Sequence, residues 1–143
     1  MQQINLTNWA NDTVDFWASK KLNLEQGVST GDLEKTENFV DFIFPRSFKE
    51  LYKKANGFKN WESNEHLFSI WPVEKIIEEF NYGRHPEFIG FCDFLINSHW
   101  IGFMRGQQGI FKRWDTTNHP PLKIADSFEE VIKMINSNSD EIY

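Results

Sequence analysis

Four histidines, one cysteine and a scatter of carboxylates are the side chains of this chain that could hold a metal or move protons, and their spacing assembles neither site. His66, His85, His99 and His119 never fall four apart as the paired ligands of an HExxH helix do, and Cys92 has no second cysteine with which to begin a zinc site. Each histidine therefore reads as a loop or surface residue. Cys92 stands in an apolar run with no neighbouring base, where burial raises a thiol pKa, so it reads as packing. Asp115 and His119 are near enough in the chain to form an acid/base pair, the chemistry of a small hydrolase. No Ser or Cys elbow accompanies them, and a pair without an oriented third group is not a catalytic constellation. Gly102, Gly106 and Gly109 do not run from a strand into a helix with Lys and Ser or Thr behind them, so they read as turn and strand glycines and not as a phosphate loop. The sequence predicts no catalytic residue, no metal site and no cofactor.

What the residues do offer is binding chemistry. The 143 residues carry 15 Lys and Arg against 21 Asp and Glu, a formal net charge of −6. That balance opposes nucleic-acid recognition, which needs clustered bases to displace counterions, and favours a protein partner that is itself basic. The charge is uneven: residues 62–93 hold seven acids (Glu62, Glu65, Glu74, Glu78, Glu79, Glu87, Asp93) and two bases (Lys75, Arg84). Glu74, Glu78 and Glu79 are either the solvated side of a helix or a docking patch. Six tryptophans exceed what a core of this size needs. Trp61 in a polar loop and Trp100 on a charged strand face are the ones placed to anchor a partner. A lone cysteine, no basic-then-apolar leader and no apolar run near the roughly 20 residues of a spanning helix predict a cytoplasmic protein that does not enter a membrane. The oligomeric state stays open.

With no repeat, no low-complexity tract and no long linker, residues 1–143 read as one domain. Trp9, Thr13, Phe16 and Trp17 fall at helical spacing, predicting a short helix opening near Thr7 or Asn8. A second helix is expected from Ser29 or Thr30, with Leu33, Phe39, Val40 and Ile43 on its apolar side. Pro45 opens a third, striped by Phe48, Leu51, Tyr52 and Ala55 and ended by Asn56 and Gly57 as a left-handed cap. Leu67 to Trp71 reads as a strand, and Pro72 opens a helix bearing Val73, Ile76, Ile77 and Phe80. Asp126 and Glu129 have capping-box spacing ahead of a last helix whose buried stripe is Phe128, Val131, Ile132 and Ile135.

Between the last two helices the pattern predicts an antiparallel meander: Phe88 to Ile96, a turn at Asn97 and Ser98, His99 to Arg105, a turn at 106–109, and Ile110 to Asp115. Pairing Ile96 with His99 and Arg105 with Ile110 sorts the side chains onto two faces. Phe88, Cys92, Phe94, Ile96, Ile101, Phe103, Ile110 and Trp114 form the expected core face. Ile89, Phe91, Asp93, Leu95, Trp100, Met104, Phe111, Arg113 and Asp115 form an aromatic, charged face of the composition that partner surfaces favour. In that register Asp93, Gly102 and Arg113 share a row, with the glycine leaving room for the two charges.

The order of the pieces resembles the SUKH superfamily. Glu37, then Phe44, Pro45, Phe48, Leu51, Tyr52, Asn56 and Gly57, is similar to that family's "E…LP…ykelyk…NG" signature, with Phe44 where Leu is usual. Leu67 to Pro72, Val73 to Phe80, the hairpins to Asp115 and the closing "IADSFEEVIKMI" follow in the family's order, over about residues 26–136. The helix within residues 1–25 has no counterpart there. The resemblance implies an α+β domain, an antiparallel β-meander flanked by N-terminal helices and a C-terminal helix. It also implies a role among bacterial immunity proteins, which bind and neutralise a cognate polymorphic toxin, often a nuclease, or among fungal regulators of cell-wall synthesis, which act as regulatory or scaffold interaction modules. It supplies no catalytic residues. The candidate partner-binding residues are Trp61, Glu62, Glu74, Glu78, Asp93, Trp100, Arg113 and Asp115.

Overall fold

A computed structural model describes residues 8–83, 85–95, 98–114 and 119–142. Helix α1 spans Asn8–Ser19, and the start expected at Thr7 lies outside the described residues. Strand β1 is Leu24–Gln26. Ser29 then sets where helix α2, Thr30–Val40, begins: its hydroxyl accepts the Asp32 N–H at 3.1 Å while the Asp32 carboxylate accepts the Ser29 N–H at 3.4 Å, so two first-turn donors are satisfied locally. Pro45 caps helix α3, Arg46–Lys54, which buries Phe48, Leu51 and Tyr52.

Asn56 and Gly57 do not cap α3. The backbone turns at Ala55 and runs on as strand β2, Ala55–Phe58, antiparallel to β1 with Leu24 opposite Phe58. All four β2 residues are buried. Tertiary pairing has overridden a local cap signal that both residues satisfied equally well. Strand β3 is Phe68–Ile70, and Pro72 opens helix α4, Val73–Tyr82.

Strands β4 (Phe88–Phe94), β5 (His99–Met104), β6 (Ile110–Trp114) and β7 (Leu122–Ala125) join β3 in one antiparallel sheet ordered β3-β4-β5-β6-β7. Edge strand β7 is absent from the pattern reading because Leu122 and Lys123 are both exposed and nothing alternates. Helix α5, Phe128–Ser137, buries the four residues expected of it. Its cap is one residue later than Asp126: the Ser127 hydroxyl accepts the Glu130 N–H, and the Glu130 carboxylate accepts the Asp126 N–H. The fold is thus α+β: among the described residues, five α-helices with a two-stranded and a five-stranded antiparallel sheet.

The register differs from the one the turns suggest. Phe94, not Ile96, pairs with His99, and Gly102 faces Phe111, so both hairpins slip by two residues; Ile96 and Asn97 themselves lie outside the described residues. A slip of two keeps each side chain on its face but changes its neighbours. Trp100, not Gly102, therefore stands in the row between Asp93 and Arg113. Gly102 has another purpose: a Cβ there would lie 2.2 Å from the Ile89 carbonyl oxygen. A bulge between Gly90 and Cys92 adds one residue to β4 and reverses the alternation before it. Ile89 and Phe91 consequently point into the main core, and Phe88 joins Met104 and Phe111 in a small cluster on the opposite face, the reverse of the expected assignment.

The core is a packed set of rings. Phe48 stacks on Phe44 and Tyr52 at 4.1 Å each and meets Phe91, Phe103 and Phe128 edge-on, tying α3 and α5 to the inner face of the sheet. Helix α1 is fastened by two indoles: Trp9 Nε1–H donates to Glu50 and Trp17 Nε1–H to Asn136 at 2.7 Å.

His99 corrects the surface assignment of the histidines. It is 6% exposed, stacks on Phe94 at 5.0 Å, and its buried Nε2 has no hydrogen-bond partner among the described residues. Burial, then the nearby Lys112 ammonium, pull its pKa down to about 4. The unfolded chain takes up a proton below about pH 6.5 that the folded chain refuses until about pH 4, so stability falls across that window as pH drops. His99→Phe should stabilise the protein at pH 4 relative to the parent by on the order of 2–3 kcal/mol, with a far smaller difference at pH 8, in denaturant titrations at both pH values. Parallel acid limbs in the two proteins would refute this. His85, whose pKa burial also lowers, leaves a residual slope in both.

Candidate functional site

Three anchors build one corner of the molecule, and a fourth, Glu37, fastens the α2–α3 junction. Glu37, 5% exposed, accepts the Phe44 N–H and the Lys49 ammonium at 2.9 Å each, fixing how α2 hands over to α3. Tyr52 donates its hydroxyl to the Trp71 carbonyl at 2.6 Å, and burial lifts its pKa well above the usual phenol value. Asn56 Oδ1 accepts the Val73 N–H at 2.8 Å and its Nδ2 donates to Glu74 at 2.9 Å. Pro72 supplies no side-chain cap to α4, so Asn56 caps that helix from another element. Gly57, at φ +73°, lets the backbone pass beneath Trp71 and Pro72, where a Cβ would lie 2.5 Å from the Trp71 carbonyl carbon. The contacts of Tyr52, Asn56 and Gly57 converge on the β3–α4 corner and dictate where α4 begins.

On the outer face of the sheet the corner presents a cleft of about 340 Å³, lined among others by Trp71, Glu79, Tyr82, His85, Trp100 and Arg113. The Arg113 guanidinium lies 5.2 Å from the Trp100 ring and 5.6 Å from that of Phe88. Trp100 is half-buried beside the Phe88–Met104–Phe111 cluster. Asp93 is 7% exposed and accepts the Trp71 indole N–H at 2.6 Å, so its carboxylate faces the interior of this corner and not the solvent. Cys92, beside it, is fully buried; burial, then the Asp93 charge, push its thiol pKa well up.

On the other side of the corner, Trp61 is 70% exposed and follows Asn60 in two successive left-handed residues, φ 53° and 65°. The Lys75 ammonium sits 3.5 Å from the Trp61 ring centre and 5.0 Å from that of Trp71. Glu25, Glu74 and Glu78 line the adjoining 300 Å³ cleft with Trp61 and Lys75. Glu62 is half-buried, and hydrogen bonds from the Asn23 side chain and backbone hold its carboxyl below the usual range. Asp115 lies outside the described residues. The remaining candidates thus flank a single corner, Trp100 and Arg113 on one side, Trp61, Glu62, Glu74 and Glu78 on the other, with Asp93 beneath. Sequence reasoning missed Lys75 and Trp71, the cation and the ring that link the two sides. The one signal for Lys75 was a base set among Glu74, Glu78 and Glu79.

The model of the SMI1 / KNR4 family (SUKH-1) matches residues 27–134, three-quarters of the chain. The chain belongs to this family. A search of curated proteins gave no match. In this SUKH-1 member the match begins after α1 and β1, so the Trp-rich N-terminal helix lies outside it. Of the residues that carried the resemblance, Tyr52, Asn56 and Gly57 turn out to be anchors of the corner, and Glu37 fastens the α2–α3 junction. They position the surface and are themselves inside it. Family membership points to protein–protein interaction in general. Among the described residues, no three His, Cys, Asp or Glu side chains group to hold a metal, and no helix is long and apolar enough to cross a membrane.

Proposed function

We propose that this SUKH-1 protein is an immunity protein that binds and neutralises a cognate polymorphic toxin domain in the cytoplasm, acting by covering a basic polypeptide and not by catalysis. The observation that carries the reading is the β3–α4 corner: rings and carboxylates held on one surface by buried anchors, the composition of a pre-shaped docking face. An acidic α4 rim complements a cationic target such as a nuclease active site and speeds encounter through its field.

The test is co-expression with the toxin domain encoded beside it. Protection of the host is the expected result, and a toxin that kills equally with and without the protein defeats the reading. Glu78→Lys, on an exposed side chain with no ion pair among the described residues, should leave folding unchanged and slow association roughly three- to tenfold at low salt, with a shallower salt dependence, in surface-binding kinetics. Asp93→Lys would instead damage the fold, since Asp93 is buried against Trp71. If no toxin gene neighbours this one, the family's other reading, a regulatory or scaffold interaction module, takes precedence.

A further inference from the structure

The corner holds a cation between two indoles. Lys75 lies against Trp71 on its buried side and Trp61 on its exposed side, and Trp71 in turn donates to buried Asp93. Trp61 is therefore fixed from beneath: its ring rests on an ammonium whose own position is set by helix α4 and by Trp71. Its indole N–H bonds to no group among the described residues, and the left-handed pair Asn60–Trp61 spends backbone strain to hold the ring out. An exposed aromatic ring that pays for its position in strain is a surface feature demanding a purpose.

The chemistry around that ring names the occupant. Glu25 and Glu78 make no ion pair or side-chain hydrogen bond among the described residues, and Glu74 spends one oxygen on Asn56 and keeps the other. Among the described residues, the one cation lining this cleft, Lys75, is covered by Trp61 and shares an ion pair with Glu79 at 3.9 Å. An incoming group thus meets an aromatic face and unneutralised carboxylates. A guanidinium satisfies both, because it stacks flat on a ring while its fork donates to carboxylates, whereas an ammonium is a point charge with a tighter water shell. We infer that Trp61, with Glu25, Glu74 and Glu78, is an arginine-docking surface that receives an arginine-bearing segment of the protein partner. This rests on the protein-binding reading above and specifies the part of the partner that this corner recognises.

The test titrates the full ¹⁵N-labelled chain with an acetylated five-residue peptide of glycine and two arginines, and with its lysine and glutamate counterparts at equal ionic strength. The expected result is a saturable shift of the Trp61 indole N–H and the Glu78 amide. The arginine peptide should saturate at a concentration about three- to fivefold lower than the lysine peptide, and the glutamate peptide should do nothing. Trp61→Ala should abolish the preference for arginine over lysine, and Glu78→Gln should weaken both basic peptides while keeping it; the resonances of distant residues report that each variant is folded. Shifts spread over the whole acidic surface, equal response to arginine and lysine, or a response indifferent to Trp61→Ala would overturn the inference. Co-expression reads the immunity role without reference to this surface, so protection with a failed titration removes only the arginine site. A specific titration without protection removes only the immunity role.

Discussion

Replacing Gly57 by alanine is expected to lower stability by about 4 kcal/mol, a left-handed-backbone cost joined to overpacking against main chain. The residue sits at φ +73°, and an added Cβ would stand 2.5 Å from the Trp71 carbonyl carbon and 2.6 Å from the Pro72 nitrogen. Neither is the end of a flexible side chain, so the strand and the helix start must part. Separation of β2 from the corner also withdraws Asn56 from the Val73 N–H, and α4 loses its cap. Gly106→Ala is the control: φ is +79° there and an added Cβ meets nothing within 4 Å among the described residues, so only the backbone cost of about 1 kcal/mol should appear. Denaturant midpoints measure both. Equal losses in the two variants would show that close approach at the corner is not what demands glycine at position 57.

Trp71→Ala should cost roughly 3–5 kcal/mol, the range for deleting a large buried ring. The indole is 2% exposed, lies over Gly90, donates to Asp93 and supports the Lys75 ammonium from below. Its loss opens a cavity, removes a donor from a buried carboxylate and takes away one of the two rings that hold Lys75. Asp93→Asn keeps an acceptor for the indole and should cost only about 1 kcal/mol, the difference between a charged and a neutral hydrogen bond. Chemical denaturation of the two variants side by side distinguishes these roles. A loss for Asp93→Asn as large as for Trp71→Ala would mean that the charge, and not the packed ring, carries the corner.

Gly57 reads from sequence as a helix cap and Trp71 only as the end of a strand; neither reading contains the corner they build. The helices were legible because their apolar residues recur at 3.6-residue spacing and their starts carry Ser, Thr or Pro; α2, α3, α4 and α5 begin within a residue or two of the expected positions. The strands of the meander were legible as aromatic runs between turn residues. Their register was not, because both hairpins slip by two residues from the pairing the turns suggest and a bulge at Gly90 to Cys92 exchanges faces within β4, and no local residue announces either. Strands β1, β2 and β7 left no pattern, being three or four residues long, β1 mostly half-buried, β2 wholly buried and β7 largely exposed.

The candidate surface divides along the same line. Trp61, Glu74 and Glu78 could be picked out from residue type, since a tryptophan in a polar loop and acids on one helix stand out against composition. Asp93 could not be assigned correctly, because an aspartate on a strand reads as exposed until the side chain that covers it is known, and Trp71 comes from another strand's end. Lys75 was invisible because its importance lies in two rings brought to either side of it by the β3–α4 corner.

By itself, then, the amino-acid order determined an acidic α+β domain, its principal helices and, through Glu37, Tyr52, Asn56 and Gly57, its family; those properties are carried by local spacing and charge count. Which aromatic rings face the solvent, which carboxylates are free and which cation is enclosed were decided only by tertiary structure, because each depends on residues distant in the chain meeting at one corner, and periodicity carries no information about that meeting.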